Sequence, residues 1–247
     1  MKVIEWIRQS RARARLHMTL IDPEKQTAEA AGRIARIAAG AGSDAIMIGG
    51  SSRITRPAVA STLARIKAAT ALPAILFPSS AEGVAADADA IFYLSLLNSR
   101  SPRFLIREAM QAGAFLRQAR IEPISVGYLI VEPGMRAGEV GEADLIRRHD
   151  LDQAVRYAMA AENMGMSMLY LEAGSGAPEP VPAAMITAVR AAVSILLCVG
   201  GGIRYPEQAK AAAGAGADVV VTGTIVEGQG DIGAALAPLI SAVKAQS

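Results

Sequence analysis

Cysteine is nearly absent from this chain. Cys198 is its single thiol, so no internal disulfide can form and no cysteine-based zinc spacing exists. Cys198 falls in an apolar strand-like run, which reads as a buried thiol in a reducing compartment, the cytoplasm. Histidine is equally scarce. His17 and His149 stand far apart and make no metal-ligand pair, and His17 lies in an apolar strand as a core histidine would. No Ser–His–Asp arrangement and no glycine–lysine phosphate loop is present, so covalent catalysis is not indicated. Charge of one sign is missing too. The formal net charge is +2, which supplies no polybasic field and argues against nucleic acid as a partner, although it favours anionic small molecules. The longest uncharged stretch, residues 68–81, is about fourteen residues long and holds two prolines, against roughly eighteen needed to span a bilayer. Residues 1–15 are basic, place Val3, Ile4 and Ile7 at helical spacing, and lack the apolar centre of a signal peptide. A surface helix closing one end of the fold is expected there.

What the chain does contain is apolar and repetitive. Its 247 residues, 52% hydrophobic, fit one domain over 1–247 with a well-buried core, a common size for an α/β barrel. Short β-type runs alternate with Ala-rich helical segments. The pattern predicts strands over 16–21, 45–48, 74–77, 90–94, 124–130, 167–171, 195–199 and 218–221. Helices are predicted over 28–39, 58–68, 102–116, 151–164, 183–192, 206–213 and 233–243, with Pro57, Pro102 and Pro206 where a first turn accepts proline. Residues 78–89 are too short and too interrupted for a full helix. The expected architecture is therefore a TIM (β/α)8-type barrel with a shortened or missing third helix, in preference to an open doubly wound sheet.

Three glycine-bearing turns each follow a predicted strand: Glu172-Ala173-Gly174-Ser175-Gly176, Gly200-Gly201-Gly202-Ile203-Arg204 and Thr222-Gly223-Thr224. Backbone N–H groups at such turns form positive concavities, and a spacing of about twenty-five residues suits one phosphate cup built from consecutive loops. Barrels of this type work at the carboxyl ends of their strands. That rule places Asp22, residues 49–52, Pro78, Ser79, Asn98, Glu132 and Glu172 on the same face as the three turns.

Among these, Asp22 ends the first strand before Pro23. A carboxylate there can hold Mg²⁺, which takes few protein ligands and fills the rest with water and phosphate oxygens; a helix cap or turn would use it equally well. Ser51 and Ser52 can offer a hydroxyl to a metal or to pyrophosphate, or cap the next segment. Glu172 beside the cup can accept a proton from a bound polyol or pair with an arginine. Glu132 has the same strand-end position with less around it. Arg204 suits either a phosphate or a structural salt bridge.

Seven segments together resemble a known family: 17–23 (HMTLIDP), 44–51 (DAIMIGGS), 93–100 (YLSLLNSR), 127–134 (GYLIVEPG), 170–176 (YLEAGSG), 199–204 (VGGGIR) and 221–227 (VTGTIVE). The chain resembles geranylgeranylglyceryl phosphate synthases and their heptaprenyl relatives, in the group common in methanogens and some bacteria. LLNSR, YLIVEPG and YLEAGSG are specific to them, whereas GGGIR occurs in many phosphate-binding barrels. The resemblance implies a prenyltransferase of archaeal-type membrane lipid biosynthesis. In that reaction the 3-hydroxyl of sn-glycerol 1-phosphate attacks C1 of a polyprenyl diphosphate such as geranylgeranyl diphosphate, and pyrophosphate leaves with Mg²⁺ assistance. It implies Asp22 and Ser51 as the Mg²⁺ positions and Glu172 with Tyr170 as the catalytic pair. It also implies a glycerol-phosphate site from Tyr170, Leu171, Glu172 and Ala173 through Gly174, Ser175 and Gly176, completed by Gly201, Gly202, Gly223 and Thr224. Leu20 stands where other branches carry a lysine, as in the methanogen-type group. The resemblance implies a homo-oligomer, dimer or hexamer, and Glu139, standing where hexameric members carry an aromatic, favours the dimer at least as much as the hexamer. A prenyl tail needs an apolar groove, for which Tyr93, Leu96 and Leu97 are candidates unless they pack in the core. A lipid product implies peripheral contact with a membrane surface.

Other classes remain open on residues alone. A sugar-phosphate isomerase or aldolase would need an acid/base pair or a strand-end lysine, and Lys25 and Lys67 lie outside strand ends. GGGIR and TGT alone would also suit a flavin-binding barrel. A non-catalytic binding barrel would have no use for Asp22, Ser51 and Glu172 together.

Overall fold

Eight runs of Val, Ile, Leu and Met become strands: β1 (Leu16–Ile21), β2 (Ala45–Gly49), β3 (Ala74–Phe77), β4 (Ala90–Leu96), β5 (Glu122–Ile130), β6 (Met168–Glu172), β7 (Leu196–Gly200) and β8 (Val219–Thr222). The computed structural model describes residues 1–50, 54–228 and 230–246. Among these, the strands pair in parallel in sequence order, and β8 pairs with β1 to close a barrel. Strand periodicity then sorts the side chains. On β6, Met168 and Tyr170 point into the barrel, while Leu169 and Leu171 pack beneath the surrounding helices.

The helices are α1 (Val3–Arg11), α2 (Ala28–Ala41), α3 (Arg56–Ala69), α4 (Glu108–Ala119), α5 (Met135–Val140), α6 (Leu151–Asn163), α7 (Ala183–Ala192), α8 (Pro206–Gly214) and α9 (Ile232–Lys244). Thr27, Asp150 and Asp231 cap α2, α6 and α9 by accepting from the amides of Ala30, Gln153 and Ala234. The third βα unit carries only a 3-10 turn, Ala81–Gly83, in place of a helix, as the interrupted sequence predicts. The fourth begins differently from its prediction. A π-helical turn, Arg103–Arg107, precedes α4, with Ser95 Oγ donating to the Leu105 carbonyl at 2.8 Å. Residues 135–140, outside every predicted helix, form α5, whose six residues are too few to show a period.

At the amino-terminal end of the barrel, α1 places Ile7 among the interior side chains. Asp218, 1% exposed, fixes it there. The carboxylate accepts from Arg11 Nε at 2.6 Å, Arg15 at 2.8 Å, Arg190 at 3.0 Å and the Leu197 amide at 2.9 Å. Asp218→Ala leaves three guanidinium groups and a buried amide without this acceptor. A loss of about 2–4 kcal/mol is expected from chemical denaturation, with the far-ultraviolet spectrum unchanged. A loss below about 0.5 kcal/mol would contradict this role.

Candidate active site

The carboxyl ends of the strands open into one pocket with a polar and an apolar half. The polar half is built by the three glycine turns. Ser175 Oγ lies 3.5 Å from Thr224 Oγ1, which joins the turn after β6 to the turn after β8. Between them run Gly201, Gly202 and Ile203, after β7. The amides of Ser175, Gly202, Gly223 and Thr224 donate to no protein acceptor among the described residues, a ring of N–H groups suited to an anion. Arg204 does not enter the ring. Its guanidinium donates to the Gly176 carbonyl at 2.7 Å and braces the first turn from behind.

Glu172, the last residue of β6, is 6% exposed and faces this cup from within the barrel. Its Oε1 accepts from the Gly174 amide at 2.6 Å, and the hydroxyls of Tyr170 and Tyr128 also donate to the carboxylate. Burial nevertheless dominates. It raises the carboxyl to about 7, with the three hydrogen bonds pulling the other way. No cation pairs with Glu172 among the described residues. Gly201 allows the arrangement: it sits at φ +82, and a Cβ there would stand 2.2 Å from Glu172 Oε1.

Beneath the carboxylate the rings of Phe77, Tyr128 and Tyr170 form a cluster. Phe77 stacks on Tyr170 with centroids 5.4 Å apart, and Tyr128 meets Tyr170 edge-on at 5.2 Å. Tyr128 belongs to the GYLIVEPG segment, in which the sequence alone assigns it no role. The signal that finds it is register, because Tyr128 lies directly opposite Tyr170 on the inward face of β5.

Asp22, 8% exposed, lies across the pocket mouth. Its Oδ1 accepts from the Glu24 amide at 3.0 Å, while Oδ2 has no hydrogen bond among the described residues. Burial raises its pKa, opposed by the Glu24 amide and by Lys25. Gly50 lies so close that a Cβ there would stand 2.4 Å from Oδ2. Lys25 Nζ bridges to both carboxylate oxygens of Glu227 at 2.9 Å beside it. Ser51 lies outside the described residues.

The apolar half runs from Phe77 past Ile91 to Phe104, Ala109 and Ala112, between the 3-10 turn and α4. The shortened third unit is what exposes it. Glu108 crosses this gap, accepting from the Ala81 amide at 2.8 Å and from Arg103 at 2.6 Å.

Some residues expected at the site lie elsewhere. The side chains of Leu171 and Ala173 belong to the core under the helices, so only their backbone faces the mouth. Leu97 packs there as well, whereas Tyr93 and Leu96 line the pocket. Glu132 accepts from the Arg148 amide at 3.2 Å, and Asn98 ties β4 to β5 through the Ile130 backbone; both are structural. His17 is buried between Ser43 and Thr222 and is held far below its usual pKa, near 3, first by burial and then by Lys244.

A closed parallel barrel with a buried carboxylate between an amide ring and an apolar groove defines a barrel enzyme whose working face is the carboxyl end of its sheet. The PcrB family model matches residues 4–241, and the chain belongs to the PcrB family. Among its relatives, geranylgeranylglyceryl phosphate synthase of Picrophilus torridus is 49% identical over 231 residues, 94% of this chain and 95% of that protein. The synthase of Thermococcus gammatolerans is 48% identical over 232 residues, 94% and 92% of the two chains. The crystal structure of the Thermoplasma acidophilum enzyme in complex with its substrate sn-glycerol-1-phosphate superposes with a TM-score of 0.96, at 42% identity and 99% coverage of both chains.

Proposed function

We propose that this chain is a geranylgeranylglyceryl phosphate synthase, joining sn-glycerol 1-phosphate to a polyprenyl diphosphate through an ether bond. The observation that carries the reading is Glu172, a buried carboxylate with a pKa near 7 placed between an amide ring and an apolar groove. The amide ring takes the phosphate of the acceptor, and the groove takes the prenyl tail. The 3-hydroxyl oxygen attacks C1 of the allylic diphosphate, the bond from C1 to the diphosphate oxygen breaks, and pyrophosphate leaves with its electron pair. The hydroxyl proton passes to Glu172. Charge builds on C1 as that bond lengthens, and the carboxylate with the faces of the surrounding rings opposes it.

Departure of a diphosphate also needs positive charge, and the described lining offers Lys25 against Asp22, Glu108, Glu172 and Glu227. Asp22, whose Oδ2 has no hydrogen bond among the described residues, fits a magnesium position beside Gly50, and the family resemblance adds the Ser51 hydroxyl as a second oxygen donor. Mg²⁺ bound there would neutralise charge on the leaving diphosphate. Asp22→Asn should weaken Mg²⁺ binding in the presence of inorganic pyrophosphate at least tenfold by calorimetry, and turnover should fall by roughly 10²-fold. Unchanged Mg²⁺ binding would remove Asp22 from that position.

The reaction is tested by incubating the protein with labelled sn-glycerol 1-phosphate, Mg²⁺ and prenyl diphosphates of graded length. An acid-stable ether product is expected, and its absence at every length would refute the reading. Because Glu172 works as the proton acceptor, kcat should rise through pH of about 7 and level off above it. A rate that falls through that window would mean that the protonated form is the working one.

A further inference from the structure

We propose that the outer face of α4 and its preceding π-helical turn is a docking surface for an anionic lipid bilayer, holding the mouth of the apolar groove at the membrane. The inference rests on the prenyltransfer reading and adds where a lipid substrate and product enter and leave.

Residues 100–120 contain five arginines, at 100, 103, 107, 117 and 120, and one acid, Glu108, in a chain whose total net charge is +2. Residues 1–15 are as basic, but they lie at the amino-terminal end of the barrel, away from the groove, so this is the basic stretch that borders the pocket. Two of the more exposed large apolar side chains lie on it as well. Ile106 is 62% and Met110 68% exposed, one helical turn apart, with Arg103 and Arg107 beside them. An exposed face that alternates arginine with large aliphatic residues matches the chemistry of interfacial helices: the apolar side chains enter the acyl boundary and the guanidinium groups meet phosphate headgroups. Arg107 and Arg117 have no ion pair among the described residues and are free to do so.

Placement supplies the second reason. The inward face of the same helix, with Phe104, Ala109 and Ala112, is a wall of the groove. A bilayer touching Ile106 and Met110 is thus one helix diameter from the apolar half of the site. On the far rim, α5 presents Met135 and Val140, 38% and 37% exposed, and Val140 also lines the pocket. Ser99 Oγ donates to the Gly141 carbonyl at 2.6 Å and joins the two rims. No described helix is long and apolar enough to cross a membrane, and the contact proposed here is a peripheral one that salt screens.

The test is co-sedimentation of the whole protein with vesicles, without substrate, beside a turnover assay in vesicle-free buffer. Wild type should bind vesicles containing phosphatidylglycerol, bind vesicles of phosphatidylcholine alone at least tenfold more weakly, and be released by about 0.5 M salt. Ile106→Ser with Met110→Ser, and separately Arg107→Glu with Arg117→Glu, should each reduce binding at least tenfold while vesicle-free turnover stays within about twofold of wild type. Wild-type binding by either double variant, or no binding of wild type to any vesicle, overturns the proposal. So does a wild-type oligomer that Ile106→Ser with Met110→Ser dissociates, because the face would then join copies of this chain. Failure of the prenyltransfer reading shows separately, as missing ether product in the vesicle-free assay.

Discussion

Glu172→Gln is expected to give a protein that is folded, more stable than wild type at pH 8, and lower in kcat by about 10²–10⁴-fold. Both effects come from the same burial. The carboxyl has a native value near 7 against 4.5 in the unfolded chain, so between these values the native state holds the extra proton. Stability therefore falls as pH rises through about 4.5 to 7, and above that window the cost is complete, on the order of 3 kcal/mol. Glutamine keeps the shape and can still accept from the Gly174 amide and the two phenols, but it never ionises, so that cost disappears. Denaturation curves at pH 5 and pH 8 check the claim. The variant should gain far more on wild type at the higher pH than at the lower. An active variant, or one with no pH-dependent gain, would show that the buried carboxylate is not the working group.

Gly201→Ala should cost nearly as much activity while leaving every ionisable group in place. Alanine at φ +82 costs about 1–2 kcal/mol in backbone energy. Its methyl would also meet Glu172 Oε1 at 2.2 Å and the Gly174 amide nitrogen at 2.6 Å. The hydrogen bond between those two groups cannot survive such an atom. A displacement of about 1 Å at the carboxylate predicts a loss of 10²-fold or more in kcat. Gly40→Ala serves as the control. It lies within α2 with nothing within 4 Å of its Cβ position, and should be active and more stable by about 0.5–1 kcal/mol. Turnover of the Gly201 variant within twofold of wild type would mean that the turn and Glu172 move independently.

The barrel was legible because its signals are local. Apolar runs of four to seven residues, prolines at first turns and an interrupted stretch after Phe77 fix the element order and the shortened third unit. Legibility ended where geometry depends on partners distant in sequence. Leu171 and Ala173 stand in the same motif as Glu172, yet strand alternation turns their side chains under the helices. Tyr128 reaches Glu172 from a neighbouring strand through register, which no spacing in one segment reveals. The π-helical turn before α4 and the six-residue α5 carry too few residues for a period. The role of Arg204 was undecidable from sequence because a guanidinium can serve a phosphate or a carbonyl, and here it takes the Gly176 carbonyl.

The closure of the barrel between β1 and β8 has a consequence for how the chain is made. Asp218 holds Arg11 and Arg15, Lys25 holds Glu227, and Lys244 reaches Asp44 at 2.9 Å, all across about two hundred residues of sequence. During synthesis the first strand and its loop therefore wait, with one edge open, until the last strand leaves the ribosome. Glycine turn 223–224 arrives with that strand, so the anion cup is assembled in the same event that removes the exposed edges. A chain that stops before β8 keeps an open sheet edge and lacks the 223–224 side of the cup, so closure of the barrel and completion of the cup are one event.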